Sequence, residues 1–218
     1  MKFAIYGAVA IVAAAAGFAI YRYGISPRAA IESTATQPSS QAAQAANDAP
    51  SIPTELPDFS LQDRDGKVTS IRSWTGKSMI VNFWATWCAP CRREIPLLRQ
   101  IQHDKAASGF QVVGVAVDFR DDVLKYAKEI GIDYPILMGE EDGLDAVTKF
   151  GLGSIGFPFT VFTDSKGRIV LTHLGELTKP QSTVIIEVVD RVNHGELTPI
   201  AARTVAARQL QQLESPAT

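Results

Sequence analysis

Short apolar blocks separated by polar turns fill residues 53–194 and indicate strands that alternate with helices. Phe59 and Leu61 alternate with polar residues ahead of a turn at 63–67, which predicts an opening hairpin with 68–71. The apolar runs at 79–84 and 110–117 show no polar face, although each contains one polar residue, Asn82 in the first and Gln111 in the second. Continuous runs of this kind predict central strands that are covered on both faces.

Helical periodicity appears after each of these central strands and again near the end of the domain. Helices are predicted at 92–107, 121–130, 143–150 and 180–193. Pro96 lies inside the first helix and should bend it. Short strands are predicted at 135–138, 159–162 and 169–174, the last two joined by a tight turn. This order predicts an α/β sandwich with a mixed sheet.

The first 25 residues have a different character. Residues 3–21 carry no charge and would span about 28 Å as a helix, close to the thickness of a bilayer core. We expect an uncleaved transmembrane signal-anchor at 1–25, with Tyr21 and Tyr23 at the membrane interface. The small residues between Ala13 and Gly17 leave a cleaved secretory signal as an alternative, and a buried core helix as another.

The segment that precedes the predicted domain has almost no large apolar side chains. Residues 26–52 are rich in Ser, Thr, Gln, Ala and Pro and are predicted to be a flexible linker. Residues 195–218 are predicted to be a peripheral helix with a frayed end. The 218-residue chain has a net charge of −2, so its composition gives no indication of nucleic-acid binding.

The two cysteines of the chain, Cys88 and Cys91, directly follow the first central strand. On a helix that starts near Cys88, residues three apart share a face, and a helix N-terminus favours a thiolate. A static disulfide or half of a metal site are the alternatives. However, so short a disulfide loop stabilises the fold only a little. A zinc site would need two more ligands, and the three histidines of the chain are scattered along the sequence.

Residues 81–96, which read VNFWATWCAPCRREIP, resemble the active-site stretch of the TlpA-like, membrane-anchored thioredoxins. That family includes cytochrome c-maturation reductases and other extracytoplasmic thiol–disulfide reductases. The resemblance covers residues 53–194 and implies a thioredoxin-like three-layer sandwich with helices on both faces, preceded by one transmembrane helix. Residues 157–160 fall where the family places its cis-proline.

The resemblance also implies roles for single residues. Cys88 would be the exposed nucleophile and Cys91 the buried resolving thiol of a redox-active disulfide. Glu94 would assist proton transfer at Cys91, because Asn82 stands where ordinary thioredoxins have a buried aspartate and cannot carry a proton. The alternative for Glu94 is a solvated helix carboxylate.

Three further residues are expected to contact the substrate. The Phe157–Pro158 bond would be cis and lie opposite the cysteines, and the alternative for Pro158 is an ordinary strand start. Phe157 departs from the small or β-branched residue that is common before this proline. Trp87 is predicted to be an exposed apolar contact, whereas Trp84 and Trp74 are predicted to be packing residues.

These features predict a protein-disulfide reductase on the periplasmic side of the inner membrane. It would act on disulfide-containing clients, such as apocytochrome c or a metal-site assembly factor, with electrons from a membrane-embedded donor. We expect no cofactor and no metal. A thiol oxidase is the first alternative, and a copper-binding assembly chaperone that uses His173 is the second. A peroxidase would need a Pro/Thr set ahead of Cys88, and none precedes it.

Overall fold

The first central apolar run forms strand β3 (Ser78–Trp84), in which every residue is buried. The computed structural model describes residues 53–151 and 156–214. Strand β3 is parallel to β4 (Phe110–Ala116), also fully buried, and antiparallel to β6 (Phe159–Thr163). Because helices or loops cover both faces of these strands, their sequences show no alternation.

Four shorter strands extend this centre on both sides. They are β1 (Ser60–Gln62), β2 (Val68–Ser70), β5 (Ile136–Met138) and β7 (Ile169–Leu174). The sheet has the order β2-β1-β5-β4-β3-β6-β7. Strands β3, β4 and β5 are parallel and the other pairs antiparallel, which confirms the predicted mixed sheet.

The described ranges contain five α-helices. They are α1 (Ala89–Lys105), α2 (Arg120–Glu129), α3 (Glu141–Thr148), α4 (Lys179–Asn193) and α5 (Pro199–Glu214). Short 3₁₀ helices follow β2 at Ile71–Trp74 and α1 at Ala106–Ser108. The helix predicted from residue 92 begins earlier, because Pro90 is accepted in a first turn where its missing N–H is not needed.

Two apolar layers enclose the sheet. On one face α1, α2, α4 and α5 pack on side chains such as Ile80, Trp84 and Val112. On the other face α3 and the segment before β1 pack on Val81, Phe83 and their neighbours. The predicted three-layer thioredoxin-like sandwich, with helices on both faces, is therefore confirmed. Both cysteines belong to the four-helix face, which fixes the side of the sheet on which the site lies.

The structure describes a helix near the C-terminal end of the chain but does not describe residues 1–52. The signal-anchor at 1–25 and the linker at 26–52 lie outside the described residues. No helix in the part of the chain that the structure describes is both long and apolar enough to cross a bilayer. Near the other end, α5 ends at Glu214 and buries Ala202 and Ala206.

Candidate active site

The cysteine pair lies where β3 ends and α1 begins. Cys88 is the N-cap of α1, and its Sγ accepts a hydrogen bond from the Cys91 backbone N–H at 3.2 Å. The two sulfurs form a disulfide across a Cα–Cα distance of 5.3 Å. The helix start near Cys88, on which the interpretation of the cysteine pair depends, is thus present, and it places an N–H donor on the sulfur that would carry a thiolate charge.

The accessibility of the nucleophile differs from the prediction. Cys88 is only 5% exposed, and Cys91 is fully buried at 0%. The order of the two is as predicted, but an exposed Cys88 is wrong for this disulfide form. Its sulfur turns back over the first turn of α1, where it is bonded to Cys91 and packs in the apolar core. In this form, therefore, only a small part of Cys88 is open to solvent.

A cis-proline follows Phe157, whose ring contacts the residue before Cys88. The Phe157–Pro158 bond is cis, as predicted, and the Pro158 carbonyl accepts a hydrogen bond from Gly175 N at 2.8 Å. The Phe157 ring contacts the Trp87 ring edge-on, with centroids 6.1 Å apart. Trp87 is 69% exposed, which confirms the predicted exposure. The two rings form an apolar rim next to Cys88.

A buried acid lies one turn after Cys91 on α1. Glu94 is 1% exposed, so the alternative of a solvated helix carboxylate is wrong. Its two oxygens accept hydrogen bonds from Asn82 Nδ2 at 2.7 Å and from Leu177 N at 2.6 Å. Burial raises the pKa of Glu94 from its ordinary 4.5 to about 7, although both hydrogen bonds oppose the rise. This carboxyl can therefore exchange a proton near neutral pH.

The basic residues beside the pair have other partners. Arg92 lies over the Tyr126 ring at 5.1 Å from its centroid, and Arg93 donates to the Glu176 carboxylate through Nε at 2.8 Å. Within the described residues, the hydrogen bond that reaches the Cys88 sulfur comes from the Cys91 backbone alone. The thiolate of Cys88 would thus be stabilised by the helix start and not by a paired cation.

An acidic clamp next to the site was not predicted. One carboxylate oxygen of Asp118 accepts from Thr86 N at 2.9 Å and from Thr86 Oγ1 at 2.5 Å. The other accepts from Phe119 N at 2.8 Å. A polar residue two positions after the buried strand β4 was the available signal, because parallel strands end at the same sheet edge. Asp118 fixes the turn that carries Trp87 and Cys88.

His173, the copper-ligand candidate, lies on β7 opposite Thr160 of β6. Its Nε2 is 3.4 Å from the Glu176 carbonyl oxygen, and burial lowers the pKa of the ring. No group of three His, Cys, Asp or Glu side chains that could hold a metal occurs among the described residues. His173 is thus placed by the sheet and by the loop before α4.

The site combines a disulfide at a helix N-terminus, a buried acid one turn further along that helix, and a cis-proline next to the Trp87–Phe157 rim. On a mixed sheet with helices on both faces, these features define a thioredoxin-like thiol–disulfide oxidoreductase. The chain belongs to the AhpC/TSA family, whose sequence pattern matches residues 52–172. This agrees with the TlpA-like resemblance of the active-site stretch.

Three relatives illustrate the similarity. The thioredoxin-like protein YneN of Bacillus subtilis is 33% identical over 133 residues, which are 58% of this chain and 74% of YneN. The thiol–disulfide oxidoreductase ResA of Geobacillus thermodenitrificans is 30% identical over 59% of this chain and 72% of its own. A crystal structure of a thioredoxin-family thiol:disulfide interchange protein from Chlorobium tepidum is 40% identical, with a TM-score of 0.53 over 58% of this chain and 89% of its own.

Proposed function

We propose that this oxidoreductase works as a reductase of protein disulfides. The Cys88 thiolate attacks one sulfur of the client disulfide, forms a mixed disulfide and releases the first client thiolate. Cys91 then gives up its proton and attacks Cys88 Sγ, which closes the Cys88–Cys91 disulfide and releases the second client thiolate. The client gains two electrons and the enzyme pair loses them.

The charge environment of Cys88 supports reduction, and not oxidation, of the client. A dithiol becomes a strong oxidant when its reduced, thiolate form is strongly stabilised. Here Arg92 and Arg93 are engaged by Tyr126 and Glu176, and the carboxyl of Glu94 is buried one turn beyond Cys91. A nearby acid disfavours the Cys88 thiolate, and no cation is paired with that sulfur among the described residues. The reduced form of the pair is then less stable, so the pair gives its electrons to clients more readily.

Glu94 is the proposed proton acceptor for Cys91. The two residues are three apart on α1 and share one face of the helix. A carboxyl with a pKa of about 7 is partly ionised at neutral pH, where it can take the Cys91 proton as the mixed disulfide resolves. During reduction of the enzyme by its donor, the same carboxyl returns the proton.

Trp87, Phe157 and Pro158 are the proposed client contacts. The exposed Trp87 ring and the Phe157 ring offer an apolar surface, and the cis Phe157–Pro158 bond adjoins it. An extended client segment would lie along this rim with its disulfide at Cys88. The proposed clients are disulfide-containing proteins of the periplasm, in cytochrome c maturation or metal-site assembly.

The proposed location is the periplasmic side of the inner membrane, with residues 1–25 as a single-pass anchor. The uncharged run at 3–21 and the polar stretch that follows it support this. Since that compartment is oxidising, a membrane-embedded donor must re-reduce the pair. Carbonate extraction and protease digestion of spheroplasts test the location. A chain recovered in the soluble fraction, or shielded from external protease, would contradict it.

The reduction potential tests the direction. The full-length chain is equilibrated in a dithiothreitol and in a glutathione redox series, and its thiols are trapped by alkylation, with the Cys88→Ser/Cys91→Ser protein as the unreactive control. We expect a value near or below that of thioredoxin, about −270 mV. A value of about −120 mV, typical of a strong oxidant, would instead assign the protein to the thiol-oxidase alternative.

A further inference from the structure

The side chain of Asn82 connects the two halves of the site. Asn82 is fully buried in the middle of β3, with Gly114 of β4 and Thr160 of β6 as its strand neighbours. Its Nδ2 donates to Glu94 Oε1 at 2.7 Å and to Thr160 Oγ1 at 2.9 Å. One amide group therefore binds the acid of α1 and the strand that begins directly after cis-Pro158.

This amide uses both of its hydrogens on those two acceptors. Its own oxygen, Oδ1, is buried and has no hydrogen-bond partner among the described residues. A buried acceptor without a partner costs free energy. The donation to Glu94 opposes this cost when the carboxyl is ionised, since bonds to a charged acceptor are the stronger ones.

We propose that Asn82 is a positioning residue for the resolving step, which holds the Glu94 carboxylate at the turn of Cys91 and ties it to the cis-proline strand. The inference rests on the proposed role of Glu94 and adds the group that governs it. Asn82 is suited to this position because its amide donates to an ionised carboxylate without bringing a second charge into the core.

The groups around Glu94 leave Asn82 as the side chain that can perform this task. Within the described ranges, the hydrogen bonds of Glu94 come from Asn82 and from the backbone of Leu177. The titratable and charged groups on the elements packed around it are Cys91 and Arg93 on α1, Tyr134 before β5, His173 on β7 and Glu176 in the loop before α4. Glu176 raises the pKa of Glu94 and is itself paired with Arg93.

Two substitutions of similar size test the inference. Asn82→Leu removes the donor, and Asn82→Asp replaces it with a second carboxyl that must share a proton with Glu94. Glu94 is followed by carbon-13 NMR of its side-chain carboxyl in the oxidised full-length chain, with Glu94→Gln to assign the signal. We expect both substitutions to move the titration midpoint upward, by about one pH unit or more in Asn82→Asp.

The second measurement is the rate at which Cys91 resolves a mixed disulfide between Cys88 and a small thiol. Resolution needs an ionised Glu94, so its rate falls as pH drops through the titration midpoint of Glu94. In Asn82→Leu this acidic limb of the pH–rate profile should move to higher pH together with the midpoint. In a Glu94→Gln background, Asn82→Leu should leave the pH profile unchanged. Thr160→Val is the matched control, because it removes the other partner of the amide and keeps the bond to Glu94.

The outcomes separate the two proposals. A midpoint unchanged in Asn82→Leu, or a limb that moves equally without Glu94, overturns the inference about Asn82. If the midpoint moves but the limb does not follow, the role of Glu94 in resolution fails while its control by Asn82 stands. Should Asn82→Leu not fold, Asn82→Asp, which keeps the shape of the side chain, decides by the same midpoint.

Discussion

At the scale of single residues, Glu94 is the group whose behaviour depends most on its surroundings. Its carboxyl is removed from water, and the two donors that reach it, Asn82 and Leu177, offset only part of that cost. The folded protein therefore holds a proton on Glu94 more tightly than the unfolded chain does. A raised carboxyl pKa that serves proton exchange thus lowers the stability of the fold at neutral pH.

The first prediction concerns this linkage. Because the pKa of Glu94 rises from 4.5 to about 7 on folding, the folded state binds more protons between these values. Its contribution to the free energy of unfolding is therefore full below pH 4.5 and is lost as pH rises to about 7, by about 3 kcal/mol. Denaturant unfolding of the oxidised protein across this range should show the loss, and Glu94→Gln should abolish it.

A matched control is Glu187→Gln, which changes an exposed glutamate on α4. It should leave the pH dependence of stability as in the wild type. If Glu94→Gln keeps the same fall in unfolding free energy between pH 4.5 and about 7, the raised pKa of Glu94 is refuted.

The residue scale also shows what the sequence could predict. Cys88, Cys91 and Pro158 were predicted because short spacing and flanking residues identify them. The environment of Glu94 was not, because its donors come from residues 12 and 83 positions away in the chain. A local sequence pattern gives the position of an acid on a helix, but the packing of distant residues around it determines whether that acid is buried from solvent.

At the scale of elements, the site depends on the carboxyl ends of β3 and β4. The two strands are parallel, so the loops that leave them meet at one edge, and Asp118 of the second loop holds Thr86 of the first. The start of α1 is set by the same turn. The sequence predicted both strands and the helix, but it could not show that this loop-to-loop bond fixes the position of Cys88.

The second prediction tests this clamp. Asp118→Ala leaves Thr86 N and Phe119 N without their acceptor, so the protein should lose about 2 kcal/mol of unfolding free energy. The loosened turn should also let dithiothreitol reduce the Cys88–Cys91 disulfide several-fold faster. Denaturant unfolding and a stopped-flow reduction assay measure the two effects.

Thr86→Val is the graded companion of this variant, because it removes the hydroxyl and keeps the backbone donor. It should cost about 1 kcal/mol. Asp145→Ala, at an exposed position of α3 on the other face of the sheet, is the control and should change neither stability nor reduction rate appreciably. If dithiothreitol reduces Asp118→Ala at the wild-type rate, the clamp does not control access to the disulfide.

At the scale of the whole domain, β2 and β7 form the two edges of the sheet. An uncovered edge strand exposes backbone groups that can pair with another chain. Along β7, Ile169 N donates to Thr54 O at 2.8 Å, and Arg203 of α5 donates to the carbonyl oxygens of Ile169 at 2.8 Å and Val170 at 3.2 Å. A helix was predicted in this region, but not its position over the edge, since Arg203 lies 33 and 34 residues from its partners.

The third prediction is that Arg203 protects this edge. Arg203→Ala removes the guanidinium that satisfies the carbonyl oxygens of Ile169 and Val170, so it should lower the unfolding free energy by about 2 kcal/mol. It should also make the domain self-associate at lower concentration, which light scattering during a thermal ramp measures. Arg203→Lys keeps a single donor and should recover part of the loss.

Arg208→Ala, at an exposed position of the same helix, is the control. Equal stability and equal self-association for the two alanine variants would show that α5 covers β7 by apolar packing alone.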